Sequence, residues 1–251
     1  MSLNSIGDLY RKLVAFNGMT LMGLTMVGIR VLTLDRGIEF NRQFVAPFFC
    51  RLMLRLVGVQ VDNQINVQKR CQVIMFNHNS FLDIFIIPML GLKNTRYIIS
   101  EDTKKILPLH LCNLGIGALY IPVQTDTSRR LAFFKRVSED LRQQKYSVIC
   151  APEGQHTFRH WIGPFNKGVF HMASAAKAPI QTMFIDIPKK ANPLESLRMK
   201  PCTVRVKNHD LIPTTHWRSE QLQQNIEQSR NRFIDYYKHT HGGIDETLCY
   251  Q

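Results

Sequence analysis

The sequence predicts an α/β protein: a mixed sheet flanked by helices, preceded by an N-terminal two-helix membrane-associated segment. Three observations predict it. Short runs of strand-forming residues recur after residue 58, among them "QVIMF", "YSVICAPEG" and "PIQTMFIDIP". Amphipathic stretches of helical period alternate with them, which argues for layered strand and helix. The first 58 residues have a different texture, two apolar stretches separated by a short polar break. The expected organisation is therefore an anchoring segment, residues 1–58, and an α/β domain, residues 59–251.

Within the anchoring segment, Tyr10-Arg11-Lys12 leads into "LVAFNGMTLMGLTMVGI", followed by Arg30 and by Asp35-Arg36. The run resembles a signal-peptide core but lacks a convincing small-residue cleavage site. It is at the short end for a spanning helix, which needs about 20 residues, and Asn17 and three glycines weaken it as one. The second stretch, "FVAPFFCRLMLRLVGV", sets Arg51 and Arg55 one helical turn apart on an otherwise apolar surface. Arginines so placed snorkel to headgroups while the apolar face lies in the interface. The expectation is two antiparallel helices sunk in one leaflet; two core helices, or one true span, are the alternatives.

In the α/β domain, "QVIMF", "RYIIS", "ALYIPV" and "YSVICAPEG" read as strands, the last ending in a turn. "DTSRRLAFFKRVSEDLRQQ" reads as a helix with polar caps at its start and Leu131, Phe134, Val137 and Leu141 on one face. "VFHMASAAK" is helical and "PIQTMFIDIP" is another strand. "CTVRVKNHDLIP" alternates like a strand at or near an edge, and "SEQLQQNIEQSRNRFIDYYK" closes as a polar amphipathic helix. "KKANPLESLRMKP" reads as a surface loop, and His239 and His241 as tail residues.

Composition narrows the partners. The 251 residues carry a formal net charge of +13, which calls for an anionic partner such as an acidic membrane surface, a phosphorylated substrate or nucleic acid. Nucleic acid is disfavoured, because the basic residues are scattered and no ribonucleoprotein-type aromatic motif or zinc-finger spacing occurs. The six cysteines are far apart, with no CxxC, and read as reduced core thiols in a cytosolic setting. His156 and His160 are four apart but lack a third ligand of suitable spacing, so no metal is expected.

The stretch "VIMFNHNSFLDIFIIP" concentrates the chemistry. A strand ending at Asn77 delivers His78 to the rim where α/β sites are built, and a helix is expected to start near Asn79 or Ser80. Ser80-x-x-Asp83 resembles a capping box and explains Asp83 without chemistry, but leaves His78 unexplained. In the chemical reading Asp83 accepts from one ring nitrogen and fixes the tautomer, and the other nitrogen takes a proton from a substrate hydroxyl.

"NHNSFLD" resembles the Asn-His-x4-Asp motif of the glycerolipid acyltransferase family, which includes the 1-acylglycerol-3-phosphate acyltransferases. "APEGQHTF" resembles that family's Phe-Pro-Glu-Gly-Thr-Arg block, keeping Pro152, Glu153 and Gly154. "PFNKGVFHMA" resembles the block after it, with Phe165, Lys167 and Gly168, and "APIQTMFI" the closing strand, with Pro179 and Ile180. The resemblance covers about residues 40–210 and implies acyl transfer from an acyl thioester, acyl-CoA or acyl carrier protein, to a hydroxyl of a lysolipid. It implies His78 as general base, Asp83 as its orienter and no acyl-enzyme. Glu153, Gly154, Asn79, Ser80, Lys167, Gly168 and Arg159 become substrate-binding candidates, with oxyanion donors sought near Gly154 or Asn79–Ser80. No cofactor beyond the thioester co-substrate is implied. The bilayer is the implied partner, at the cytoplasmic face of a membrane such as a bacterial inner membrane.

The departures cluster where the acceptor's phosphate would be held. Val123 stands where the family's second block has arginine, Gln155-His156 replaces Thr-Arg, and Glu101 and Asp102 occupy positions often held by lysine, with Lys104 and Lys105 close by. Valine does not replace a bidentate guanidinium. Either Arg129, Arg130, Arg159 or His160 supplies the charge, or the acceptor lacks the phosphate, as a lyso-ornithine-type lipid would. A lipid-binding protein without catalysis is the third reading.

Overall fold

The computed structural model describes residues 3–67, 70–154, 162–188, 191 and 200–241. In chain order its elements begin with α1 (Leu3–Leu32), α2 (Ile38–Phe40), a π-helical turn (Asn41–Val45) and α3 (Ala46–Leu56). Then come β1 (Val59–Gln64), β2 (Val73–Phe76), α4 (Asp83–Met89), β3 (Thr95–Ser100), a 3-10 turn (Glu101–Lys105), α5 (Leu107–Gly115) and β4 (Leu119–Ile121). The rest are α6 (Thr127–Arg142), β5 (Ser147–Cys150), α7 (Lys167–Ala176), β6 (Ile180–Asp186), β7 (Cys202–Asn208) and α8 (Leu222–His241). Two compact units result, one from Met1–Asn63, Ser80–Tyr120 and Ile187–Val204, the other from Gln64–Asn79, Ile121–Asp186 and Arg205–Gln251.

In the first unit α1 and the helical segment 38–56 run antiparallel. Tyr10 donates to the Leu56 carbonyl (3.3 Å), Cys50 Sγ meets Met22 Sδ (3.9 Å), and Asn41 Nδ2 donates to the Met26 carbonyl (2.8 Å). Among the described residues α1 alone is both long and apolar enough to cross a membrane by length and composition, over Gly7–Leu32. The expected second helix starts at Ile38 rather than Phe44 and contains the π-helical turn. Two of the glycines that weaken α1 as a free helix are points of close approach. A Cβ on Gly23 would lie 2.6 Å from Leu111 Cβ of α5, and one on Gly18 would collide with Met53 Sδ of α3.

The polar break opens as an exposed turn at Asp35-Arg36 but is buried where it enters the second helix. Asn41 is fully buried and Arg42 is 4% exposed, because the extra residue of the π turn rolls both inward. Asn41 Nδ2 donates to the carbonyls of Met26 (2.8 Å) and Gly115 (2.9 Å), joining α1, the π turn and the end of α5. Arg42 donates to the Thr95 carbonyl (3.0 Å) and pairs with Glu39 (2.6 Å); burial opposes its charge and Glu39 supports it.

In the second unit β2 lies between two parallel partners. Val73 to Met75 pair with Val148 to Cys150 of β5, and Val73 to Phe76 with Ile180 to Met183 of β6. β7 is antiparallel to β6, so the sheet is mixed as predicted. β2, β5 and β6 are buried along their whole lengths, the pattern of parallel strands covered on both faces. β7 alternates, with Val204 and Val206 buried and Thr203 and Arg205 exposed. On α6 the buried residues are Phe133, Val137, Ser138 and Leu141, while Leu131 is 66% exposed; a residue at 131 lies about 90° from the centre of that face.

The described cysteines are free thiols, buried except for half-buried Cys202, and burial pushes Cys150 up to about 12. The stretch Lys189–Pro201 lies mostly outside the described residues. Substituting Asn41→Ala leaves two buried carbonyls without their donor and is expected to destabilise the first unit by about 1–3 kcal/mol. Thermal unfolding in detergent, compared with an exposed control such as Leu34→Ala, measures it.

Candidate active site

Because β2, β5 and β6 are parallel, their carboxyl ends share one rim, and the residues that follow them form the candidate site of the second unit. Asn77, His78 and Asn79 follow β2. His78 is half-buried and meets the Phe76 ring edge-on at 5.7 Å. Its N–H donates to Glu153 Oε1 (3.2 Å) in the turn after β5.

Glu153 is 5% exposed, and its second oxygen accepts from the Gly163 N–H (2.8 Å). The carboxylate thus joins the main chain at His78 to the segment entering α7. Donors of this kind satisfy a buried carboxylate. Arg230 of α8 completes the chain of contacts, donating to the carbonyls of Gly163 and Ile162 (both 2.8 Å). Neither Gly163 nor Arg230 carries a sequence signal for this role.

Gly154 closes the turn at φ +74°, donating its N–H to the Ala151 carbonyl (3.3 Å). A Cβ there would run into Asn166 Nδ2, which donates to the carbonyls of Pro152 (3.2 Å) and Glu153 (2.9 Å). Asn166 stands at the N-cap of α7 but serves this turn and does not cap its own helix. Sequence reasoning missed it. Lys167 follows, exposed in the first turn of α7. Gly168 is where α7 lies flush against the Phe134 ring of α6.

Ser80 and Asp83 belong to the first unit. Of the two reciprocal bonds that Ser-x-x-Asp predicts, one forms: the Ser80 N–H donates to Asp83 Oδ2 (3.4 Å), while Ser80 Oγ accepts from the Leu82 N–H (3.1 Å) and the Asp83 N–H donates to the Ser80 carbonyl (3.3 Å). They close a turn ahead of the helix, so α4 begins at Asp83 and not at Asn79 or Ser80 as expected. Asp83 is 3% exposed. Among the N–H groups sought for an oxyanion near Gly154 or Asn79–Ser80, those of Gly154 and Ser80 are already donating to acceptors of the protein itself.

The cations around the missing arginine are now placed. Arg129 is held by Asp126, its N–H bonding Oδ1 (3.1 Å) and its guanidinium lying 3.4 Å from Oδ2. Arg130 donates to the Pro122 carbonyl (2.7 Å), next to Val123, and stacks over Phe134 at 5.8 Å. Lys105 pairs with Asp102 (2.6 Å), and Lys104 lies over the Tyr120 ring (4.6 Å). Arg159, Gln155, His156 and His160 lie outside the described residues. Among the described residues no cluster of ligand side chains suits a metal ion. His241 is not a tail residue: its Nε2 meets Asp186 Oδ1 at 2.8 Å, with both side chains buried.

The family model for acyltransferases matches residues 58–186, just over half of the chain. The chain belongs to the acyltransferase family. Among acyltransferase relatives, it is 28% identical over 166 residues to the 1-acyl-sn-glycerol-3-phosphate acyltransferase of Cocos nucifera, a match covering 64% of this chain and 52% of that protein. It is 22% identical over 191 residues to the enzyme of the same name from Saccharomyces cerevisiae, covering 75% and 62%. The chain therefore spans only about half to three fifths of the length of these two acyltransferases. The fold is that of an acyltransferase crystal structure, the 1-acyl-sn-glycerophosphate acyltransferase of Thermotoga maritima, with a TM-score of 0.73 at 19% identity, covering 94% of this chain and 96% of that one.

Glu153→Gln sets an amide N–H₂ against one of the two backbone N–H groups the carboxylate now serves. A loss of about 1–3 kcal/mol is expected from the unpaired donor. Faster amide exchange at His78 or Gly163, read by mass spectrometry or NMR, identifies which bond was lost.

Proposed function

We propose that the chain is a membrane-associated O-acyltransferase that moves a fatty acyl group from an acyl thioester, acyl-CoA or acyl carrier protein, to the free hydroxyl of a 1-acylglycerol-3-phosphate-type lysolipid. The observation that carries this reading is His78 at the rim of β2, with its main chain held by the buried Glu153 carboxylate. One ring nitrogen takes the hydroxyl proton as the oxygen attacks the thioester carbonyl. The tetrahedral adduct collapses, the C–S bond breaks, and the imidazolium returns the proton to the departing thiolate. The role of Asp83 as orienter rests on the His-x4-Asp spacing. Glu153 serves as a positioning residue, since both its oxygens accept from the backbone.

Two cations favour a phosphate-bearing acceptor. Arg130 is fixed beside Val123 and lies over the Phe134 ring, and Lys167 is exposed next to Gly168, where α7 meets that same ring. Uncharged Val123 favours the second reading, an acceptor without phosphate such as a lyso-ornithine lipid. Membrane association is supported by an apolar stripe, Phe40, Phe44, Phe48, Leu52 and Leu56, exposed at 44–62% and spaced one helical turn apart.

The deciding assay offers the purified protein labelled acyl-CoA or acyl carrier protein with lysophosphatidate, lyso-ornithine lipid or glycerol 3-phosphate. Lysophosphatidate is expected to be acylated, and Arg130→Ala to raise its KM. His78→Ala is expected to lose about 10²–10⁴-fold in rate, the range for a removed general base; a near-normal rate would falsify the mechanism. Replacing Phe44 and Phe48 by Glu is expected to weaken sedimentation with phospholipid vesicles at least about tenfold, because each buried Phe contributes roughly 1.5–3 kcal/mol.

A further inference from the structure

The last backbone pair between β2 and β6 is Phe76 with Met183. Beyond it the main chain of β2 leaves the sheet, yet the pairing continues for one step through a side chain. Asn77, 1% exposed, donates from Nδ2 to the Ile185 carbonyl (3.0 Å) and accepts the Ile185 N–H on Oδ1 (2.7 Å). A carboxamide has the donor and acceptor of a peptide group, so it satisfies both polar groups of buried Ile185 as a strand would. The backbone is thereby released to turn at the base. Asn77 Nδ2 also lies 3.4 Å from Asn79 Oδ1, so the residues on either side of His78 are joined. From the β5 side, Glu153 takes the N–H of His78 itself (3.2 Å).

We infer that Asn77 is a positioning residue for the acyl-transfer base: its side-chain amide replaces one step of the β2–β6 ladder and sets the direction in which the main chain presents His78. This rests on reading His78 as the general base. No other side chain of similar size does the same. An aliphatic residue leaves the Ile185 N–H and carbonyl unpaired, Asp loses the donor, and Gln carries the amide about one methylene too far.

The test compares wild type with Asn77→Ala and Asn77→Asp, purified in the same detergent, by kcat, both KM values, the pH dependence of kcat/KM, thermal unfolding and amide exchange at Ile185. Folded Asn77→Ala is expected to lose about 10²-fold in kcat, the effect of misplacing a reacting group by about 1 Å. Both KM values are expected to stay within about threefold, and the acid limb of the pH profile to stay in place while its plateau falls. The Ile185 amide is expected to exchange faster. Asn77→Asp keeps the side-chain volume and the acceptor, and reads the same loss of kcat if the Ala variant fails to fold. A folded variant with kcat within about threefold of wild type overturns the inference, as does a loss that only follows the fraction unfolded. Wild type that acylates none of the acceptors overturns the acyltransferase reading and this role together. Active wild type beside fully active variants overturns this role alone.

Discussion

Glu153 is buried, and a carboxylate persists in such a place only when donors engage its oxygens. Here the donors are main-chain N–H groups from two separate segments, His78 after β2 and Gly163 ahead of α7. The rest of the rim depends on that bridge. It couples the residue proposed as base to a turn closed by Asn166, and through Gly163 to Arg230 on the final helix. Both oxygens of Glu153 thus brace main chain within the second unit.

The two compact units use one device in different settings. Asn41 in the first and Asn77 in the second are both buried amides that satisfy backbone groups where regular pairing stops. In the first unit the interruption is a π turn inside an apolar helical segment; in the second it is the departure of a strand from its sheet. Asn77 engages both ends of its amide and so specifies a single local arrangement, whereas Asn41 works through Nδ2 alone, its buried Oδ1 having no hydrogen-bond partner among the described residues. That explains how polar residues persist in stretches that otherwise read as continuous apolar surface.

Much of the fold was legible in the sequence, for physical reasons that differ between elements. β2, β5 and β6 were readable because strands covered on both faces are apolar throughout, and α6 because Asp126 caps its start. α5 was missed, since an apolar run with Pro108 near its start shows no single polar face. β1 was missed because the alternation of Val59 and Val61 directly follows an apolar helix. The π turn could not be read, as it changes which residues face inward without changing composition. In the site, His78 was identifiable from local pattern, and Glu153 and Gly154 from the resemblance of "APEG" to the acyltransferase block. The brace itself was not, because residues 78 and 153 are distant in sequence and their pairing follows from the register of β2 against β5. His241 was misread for the same reason: its partner, Asp186, ends a strand made long before it.

The hold of Arg230 on Ile162 and Gly163 sets an order in time. A ribosome makes about 5–20 residues per second, so α1 leaves it on the order of ten seconds or more before Arg230 is joined. Throughout that interval the apolar helix is complete, while the segment that meets Glu153 lacks its outer support. A nascent chain can therefore reach a lipid surface before its rim is assembled. Competence would then arrive only once α8 has been made.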